Sequence, residues 1–364
     1  MATYRYYTAD ILTGTVLAEL PLFGVTMDRK LSAAGNISGS MKLGSGQHND
    51  DDLITGSEPQ RSAVYCERDG TLIWGGILWS RSYDSTNKTC ALTGQTFESY
   101  FDHVAIQNDF IQDGGIDQLE IFRNLINVLQ GQAGSNIGLD VSGMSIVSGV
   151  PRTILIPGYE YHLANEVVSQ LVGVEDGFDY TIDVVPSGTV DQPNKLVRVG
   201  YPTISDPDAS AAVEYDYPGN ITSYTWPETG GGTRFAVLGA GAGSSMFRAE
   251  SVASDLIAAG FPSWWVVKAF KNLVTDDQVT AKAAAVRDLY KTPTTVPEFT
   301  LKPDREPEFE AWSALGSNFN VHIEDARFPN GKDVSSRMTG WSLTPESSNS
   351  TEVLKFTIEG TDDA

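Results

Sequence analysis

The stretch Val237-Leu238-Gly239-Ala240-Gly241-Ala242-Gly243-Ser244-Ser245 is the part of this sequence closest to a binding motif. A glycine turn between a strand and a helix can lay backbone N–H groups against a phosphate. The spacing does not complete a dinucleotide turn. In G-x-G-x-x-G the last glycine would fall at Ser244, and no strand ending in an acidic residue follows at the usual distance. Gly-Lys-Ser and Gly-Lys-Thr are absent, which excludes a P-loop. A flexible glycine turn in a β-barrel is the better reading, and no cofactor is expected.

Acid–base and metal chemistry is thinly supplied. His48, His103, His162 and His322 lie far apart, with no i, i+4 pair to hold a metal on one helix face, so each reads as a surface or satisfied core histidine. No G-x-S-x-G elbow is present. Asp50-Asp51-Asp52 lacks the alternating register of a calcium loop and reads as a solvated loop between Gly44 and Glu58. Cys66 and Cys90 sit in short apolar runs without zinc-site spacing and read as buried thiols, with a disulfide as the alternative. No catalytic, cofactor-binding or metal-binding residue is therefore assigned. A glycosidase needs only two carboxylates, so 47 acidic residues leave that class open without marking a pair. The tryptophans, with Trp264-Trp265 adjacent and Trp74 and Trp79 on one strand, read as barrel core and subunit interface; a sugar site is the alternative.

Charge narrows the partners. Lys and Arg number 25 against 47 Asp and Glu, a formal charge of −22, and no segment collects a run of five like charges. Nucleic-acid grips need clustered cations to displace phosphate counterions, so specific DNA binding is not expected. The amino terminus has no signal-peptide run, and no stretch approaches the roughly 18 apolar residues of a spanning helix, so membrane insertion is not expected. At 364 residues the chain is long enough for two to four domains.

The elements that would position these residues are mostly strands. Ala63 to Glu67, Asp69-Gly70, Thr71 to Tyr83, a polar turn at Asp84 to Lys88, and Thr89 to Gly94 form an antiparallel meander, with Asp-Gly as a type I′ hairpin signal. Ile37, Gly39, Met41 and Leu43 alternate with polar residues, the period of a strand with one buried face. Residues 1–100 thus read as a first β-barrel. Residues 101–205 read as an α+β domain, with helices over Ile116 to Gln130 and Tyr161 to Val172 and strands after Gly177 and Lys195. Residues 206–245 and 296–364 read as the two parts of a second β-barrel. A helical insertion over 246–295 separates them, with a helix at Ala249 to Ala259 and a Thr275–Gln278 capping box before Val279 to Tyr290. The fold class is mostly β with α+β parts: two antiparallel β-barrels, an α+β domain and a helical insertion.

Segment order adds a further observation. Asp69-Gly70-Thr71-Leu72-Ile73-Trp74-Gly75-Gly76-Ile77, then Thr89 to Gln95 and Phe97 to Phe101, are followed in turn by Gly177-Phe178-Asp179-Tyr180, Gly200-Tyr201-Pro202, Pro218-Gly219-Asn220 and Gly239-Ala240-Gly241. This succession resembles the minor tail proteins of actinobacterial siphophages. The resemblance implies a non-enzymatic structural protein of the virion tail tip, similar to a baseplate hub. Such hubs are homotrimers whose two barrels per subunit, of the tail-tube type, make a pseudo-six-fold ring. The implied partners are further copies of itself, the distal tail protein, the tape measure protein and other minor tail or fibre proteins. Genomic DNA would pass through the lumen during ejection without specific binding, and assembly would take place in the host cytoplasm. Larger relatives continue into fibre or enzymatic modules, whereas this chain stops at Thr361-Asp362-Asp363-Ala364 after the second barrel. The alternative is a tail-associated protein that binds or hydrolyses cell-wall polysaccharide.

Overall fold

Alternating side chains set the first quarter of the chain into strands. The computed structural model describes residues 2–362 apart from 47, 173, 175, 188–191, 205–213, 228–230, 272, 292–293, 296, 305–308, 310–311, 347–350 and 360. Tyr4–Asp10 (β1), Val16–Glu19 (β2), Phe23–Lys30 (β3) and Asn36–Lys42 (β4) come first. In β4, Ile37, Gly39 and Met41 are buried while Asn36, Ser38 and Lys42 face water, as the period of two predicts. Asp50–Gly56 (α1) then corrects the expectation of a solvated acidic loop. Asn49 caps the helix by accepting from the Asp51 N–H at 3.2 Å. The three aspartates occupy its first turn, where the helix dipole favours negative charge.

Ser62–Arg68 (β5), Thr71–Asp84 (β6) and Thr89–Thr96 (β7) form the expected meander. Asp69 and Gly70 take φ of 51° and 80°, the left-handed pair that a type I′ turn requires. Trp74 is fully buried and its Nε1 donates to the Asp28 carbonyl at 2.9 Å. The glycine after it has a packing reason: a Cβ at Gly75 would lie 2.5 Å from Val184 Cγ1. Cys66 and Cys90 are free and buried, in β5 and β7, so the disulfide alternative does not hold. Burial pushes the Cys66 thiol well above its ordinary value.

The middle of the chain folds as α+β: Phe110–Asp117 (β8), Gln118–Gly131 (α2), Leu139–Asp140 (β9), Pro151–Ile156 (β10), Ala164–Leu171 (α3), Asp179–Val185 (β11) and Asn194–Gly200 (β12). Both helices fall where the apolar spacing put them. The second starts three residues later than expected, because a 3₁₀ turn at Gly158–Glu160 ends with Tyr161 in left-handed backbone at φ 52°. Phe122 is the centre of the packing, 5.2 Å from the Tyr180 ring, 5.3 Å from Phe178 and 5.8 Å from Phe101. This core runs without a break into Tyr7, Tyr65, Ile77 and Phe97 of the amino-terminal strands.

The remaining elements are Glu214–Tyr217 (β13), Ile221–Thr225 (β14), Arg234–Leu238 (β15), Arg248–Val252 (β16), Ser254–Ala258 (α4), Trp265–Ala269 (β17), Asp276–Tyr290 (α5), Thr294–Thr295 (β18), Glu298–Leu301 (β19), Asn318–Ile323 (β20), Lys332–Thr344 (β21), Val353–Ile358 (β22) and Thr361–Asp362 (β23). The chain divides into two compact units, Met1–Ser223 with Phe299–Ile358, and Tyr224–Glu298 with Glu359–Ala364.

In the first unit, strands from both ends of the chain share one sheet in the order β14-β19-β22-β21-β3-β4-β7-β6-β5-β1-β2, with β20 and β13 branching from β21. The protein is mostly β, as expected. Among the described residues, however, the pairings form an open path that closes neither strand set into a barrel.

In the second unit, β15 lies between antiparallel β16 and parallel β17, and α5 packs on this sheet through Val279, Ala283 and Val286. Two expectations change here. The strand pattern puts Arg234 to Gly239 in a second barrel, yet β15 pairs within the small unit. The apolar spacing predicts one helix over Ala249 to Ala259, yet the segment supplies a strand and then a five-residue helix. Ladder hydrogen bonds to β15 outweigh a helical spacing that rests on Val252 and Leu256 alone. The capping at Thr275 holds: its side chain accepts from the Gln278 N–H at 3.3 Å, and Gln278 Oε1 accepts from the Val274 N–H at 2.9 Å. Among the described residues, no helix is long and apolar enough to cross a membrane.

One buried ionic group fastens the long sheet to the α+β layer. Arg29 lies on the inward row of β3, after Val25 and Met27, and is only 4% exposed. Its guanidinium donates to Asp183 Oδ1 at 2.6 Å, Thr181 Oγ1 at 2.9 Å, and the Ile182 and Trp312 carbonyls at 3.3 Å. Asp183 Oδ2 accepts from Arg198 Nε at 2.9 Å, and Arg198 donates on to the Ser313 carbonyl at 2.7 Å. Glu98 completes the group, with Oε1 accepting from the Ile182 N–H at 2.8 Å. Burial raises the Glu98 carboxyl above its ordinary range, against the pull of Arg29.

Breaking a buried pair strands the other charge. Arg29→Met is therefore expected to lower unfolding free energy by about 3–5 kcal/mol in a urea titration. Arg61→Met, at the exposed pair with Asp10, should shift the midpoint little. Burial also pulls the Lys195 ammonium down to about 8 while it donates to the Ile137 carbonyl at 2.5 Å. The unfolded lysine holds its proton to about pH 10.4. Between these two values the unfolded state binds more protons, so this group makes stability rise with pH through that window. Lys195→Met should flatten the rise, measured as urea midpoints at pH 7.5 and pH 10.

Candidate functional site

The glycine-rich turn connects β15 to β16, which run antiparallel. A 3₁₀ turn at Gly243–Ser245 follows it, and then a strand, so no long helix directs its first-turn amides at the glycines. The glycines serve packing and backbone geometry. A Cβ at Gly239 would lie 2.7 Å from the Leu273 carbonyl, and Gly241 takes φ of 96°. The turn belongs to the small mixed unit and not to a barrel.

The four histidines have different fates. His48 is exposed. His103 stands edge-on to Trp79, with ring centroids 3.8 Å apart. His162 lies between Glu160 and Glu166, its ring nitrogens 2.7 and 2.6 Å from their carboxylates, and hydrogen bonding to both raises its pKa. His322 Nδ1 is 2.5 Å from Asp333 Oδ1. That hydrogen bond, then the fields of Asp333, Asp216 and Glu214, raises the His322 pKa.

The donor atoms of Glu214, His322 and Asp333 lie within 4.8 Å of one another. Sequence spacing missed this cluster because its members come from three strands, β13, β20 and β21. The signal available in the sequence was the polar alternation of those strands, which says which face each residue takes and nothing about which strands are neighbours.

A cavity of about 760 Å³ lies beside Trp79 and His103, lined also by Asp10, Arg61, Gln60 and Tyr100. Asp10 is the carboxylate in its lining. That group accepts from the Thr13 and Leu12 amides and from Arg61, which hold it below its usual range. Glycoside hydrolysis uses two carboxylates flanking the bond, one of them raised in pKa. The groups around this cavity do not supply that arrangement.

The tryptophans divide by location. Trp74 and Trp341 are buried, whereas Trp264 and Trp265 are 61% and 49% exposed. With Phe261 and Val267 these two form an apolar strip along and before β17. Among the described residues β17 pairs only with β15, so the strip borders an open sheet edge. Trp74 and Trp341 are thus core residues as expected, though not of a closed barrel.

No protein-family model matches the sequence, and no curated protein matches it. Among solved structures, the chain is similar to the 43 kDa tail protein of prophage MuSo2 from Shewanella oneidensis, at 13% identity and a TM-score of 0.61, covering 98% of this chain and 96% of that one. It is similar to the tail protein from Neisseria meningitidis MC58, at 13% identity and a TM-score of 0.55, again over 98% of this chain and 96% of that one. It also resembles a chain of the half-lidded Francisella PdpA-VgrG complex, at 10% identity and a TM-score of 0.58, covering 99% of this chain and 58% of that one. At such identities the likeness is one of fold: over nearly its whole length, this chain has the fold of these tail proteins.

Proposed function

We propose that this chain is a non-enzymatic structural subunit of a siphophage tail tip, a hub that assembles as a homotrimer and continues the tail tube. The observation that carries this reading is the end-to-end fold likeness to two tail proteins, with 96% of each also covered. An isolated catalytic or binding module would match a part of such a chain. The strand sets β1–β7 and β13, β14 and β19–β22, joined in one sheet, are the natural candidates for the two similar faces that a three-fold ring offers to a six-fold tube. In this reading residues 1–100, and 206–223 with 299–358, supply the ring, and 101–205 form the layer beside it.

The partners are further copies of the chain, the distal tail protein, the tape measure protein and other minor tail or fibre proteins. The subunit is made in the host cytoplasm and ends in the virion. DNA leaves through the lumen without specific binding, which suits a formal charge of −22.

Deleting the gene should give tailless or tip-defective particles in electron micrographs, restored by the gene in trans. Complete particles that adsorb normally but fail to open the cell wall would favour the polysaccharide-active alternative instead. Assembly should also cover the apolar strip: Trp264 and Trp265 should be quenched by acrylamide in the free chain and shielded in assembled tails. Equal quenching in both states would place the strip outside every interface.

A further inference from the structure

We propose that Glu214, His322 and Asp333 form a binding site for one divalent transition-metal ion of the zinc class. Strand register puts the residues together. Parallel pairing of β13 with β20 sets Asp216 opposite His322, and antiparallel pairing of β20 with β21 sets His322 opposite Asp333. Glu214 lies two residues before Asp216 and so takes the same face of β13. Three strands thus bring one imidazole nitrogen and two carboxylate oxygens within 4.8 Å of one another.

Zinc takes nitrogen and carboxylate oxygen ligands at about 2.0–2.2 Å, so modest rotation of the two exposed carboxylates is enough to bring all three onto one ion. The imidazole favours zinc-class ions over magnesium or calcium, whose preferred donors are all oxygen. Two carboxylates also match the charge of a divalent ion.

A second observation shows that the imidazole is seated. Gly331, in left-handed backbone at φ 77°, packs against the ring: a Cβ there would lie 2.9 Å from His322 Cε1 and 3.4 Å from Nε2. Glycine in the loop before β21 leaves room for the ring, whose Nδ1 is directed toward Asp333. Binding would replace the 2.5 Å hydrogen bond between Nδ1 and Asp333 Oδ1, the Asp333 carboxylate swinging away so that both atoms reach the ion at about 2.0–2.2 Å. Bound there, the ion would tie β13, a four-residue strand whose described pairing is to β20 alone, to both β20 and β21. A ligand that binds only the folded state stabilises it by mass action.

The test uses the full chain, stripped with EDTA, and titrates zinc chloride by calorimetry and thermal denaturation, with magnesium and calcium chloride in parallel. The expected result is saturable uptake of about one zinc per chain with a rise in melting temperature, and no comparable response to magnesium or calcium. His322→Ala should abolish the uptake, and the conservative Glu214→Gln should weaken it while circular dichroism stays unchanged. His162→Ala should retain it, because Glu160 and Glu166 bind opposite nitrogens of that ring and do not converge. No saturable uptake, or uptake that survives His322→Ala in a folded chain, would overturn the proposal.

Discussion

The antiparallel pairing of β3 with β21 is the constraint on which the first unit depends. Met27, Asp28, Arg29 and Lys30 face Leu343, Ser342, Trp341 and Gly340, joining strands about 300 residues apart in sequence. Loop-closure entropy grows only slowly with length, so so distant a pairing is affordable once a large buried face rewards it. The same strand that makes this seam sends Arg29 inward to Asp183 on β11. One residue therefore touches all three parts of the unit: its own amino-terminal strands, the carboxy-terminal region through the turn carbonyl of Trp312 and the β21 pairing of Trp341, and the α+β layer.

Such a junction stabilises only if it is complete. One guanidinium and two carboxylates are withdrawn from water, with Arg198 a quarter exposed, and their attraction offsets the desolvation only because neighbouring carbonyls, a hydroxyl and an amide take up most of the remaining hydrogen-bonding capacity. Glu98 is the least satisfied member: its Oε2 has no hydrogen-bond partner among the described residues, and burial raises its carboxyl. An apolar residue at Arg29 would fit the Val25–Met27 row as well. The arginine instead ties the sheet to one place on β11, a specificity that hydrophobic burial by itself does not supply.

Local chemistry was legible in the sequence, and long-range pairing was not. The Asp69-Gly70 hairpin, the one-sided burial of β4, the two helices of the α+β part and the cap at Thr275 each depend on residues within a few positions of one another. Their expected forms appear in the structure. The seam between β3 and β21, the placement of β15 in the small unit and the parallel pair of β13 with β20 depend on partners tens or hundreds of residues away. No local period reports them. The His322 cluster was missed for that reason. Asp50 to Asp52 failed differently: the acidic residues were visible, but their value at a helix start depended on reading Asn49 as a cap.

The proposed tail-tip hub draws on a long sheet built from both chain ends, exposed aromatic residues in the small mixed unit and a strongly acidic composition. A cryo-electron microscopy reconstruction of the intact tail tip tests this most directly. It should place three copies of the chain around the tail axis, directly below the tube, with the β3–β21 sheet intact in each and carboxylates facing an open bore. Density for the chain only at the periphery, as single off-axis copies or fibre segments, or a bore lined by lysine and arginine, would contradict it.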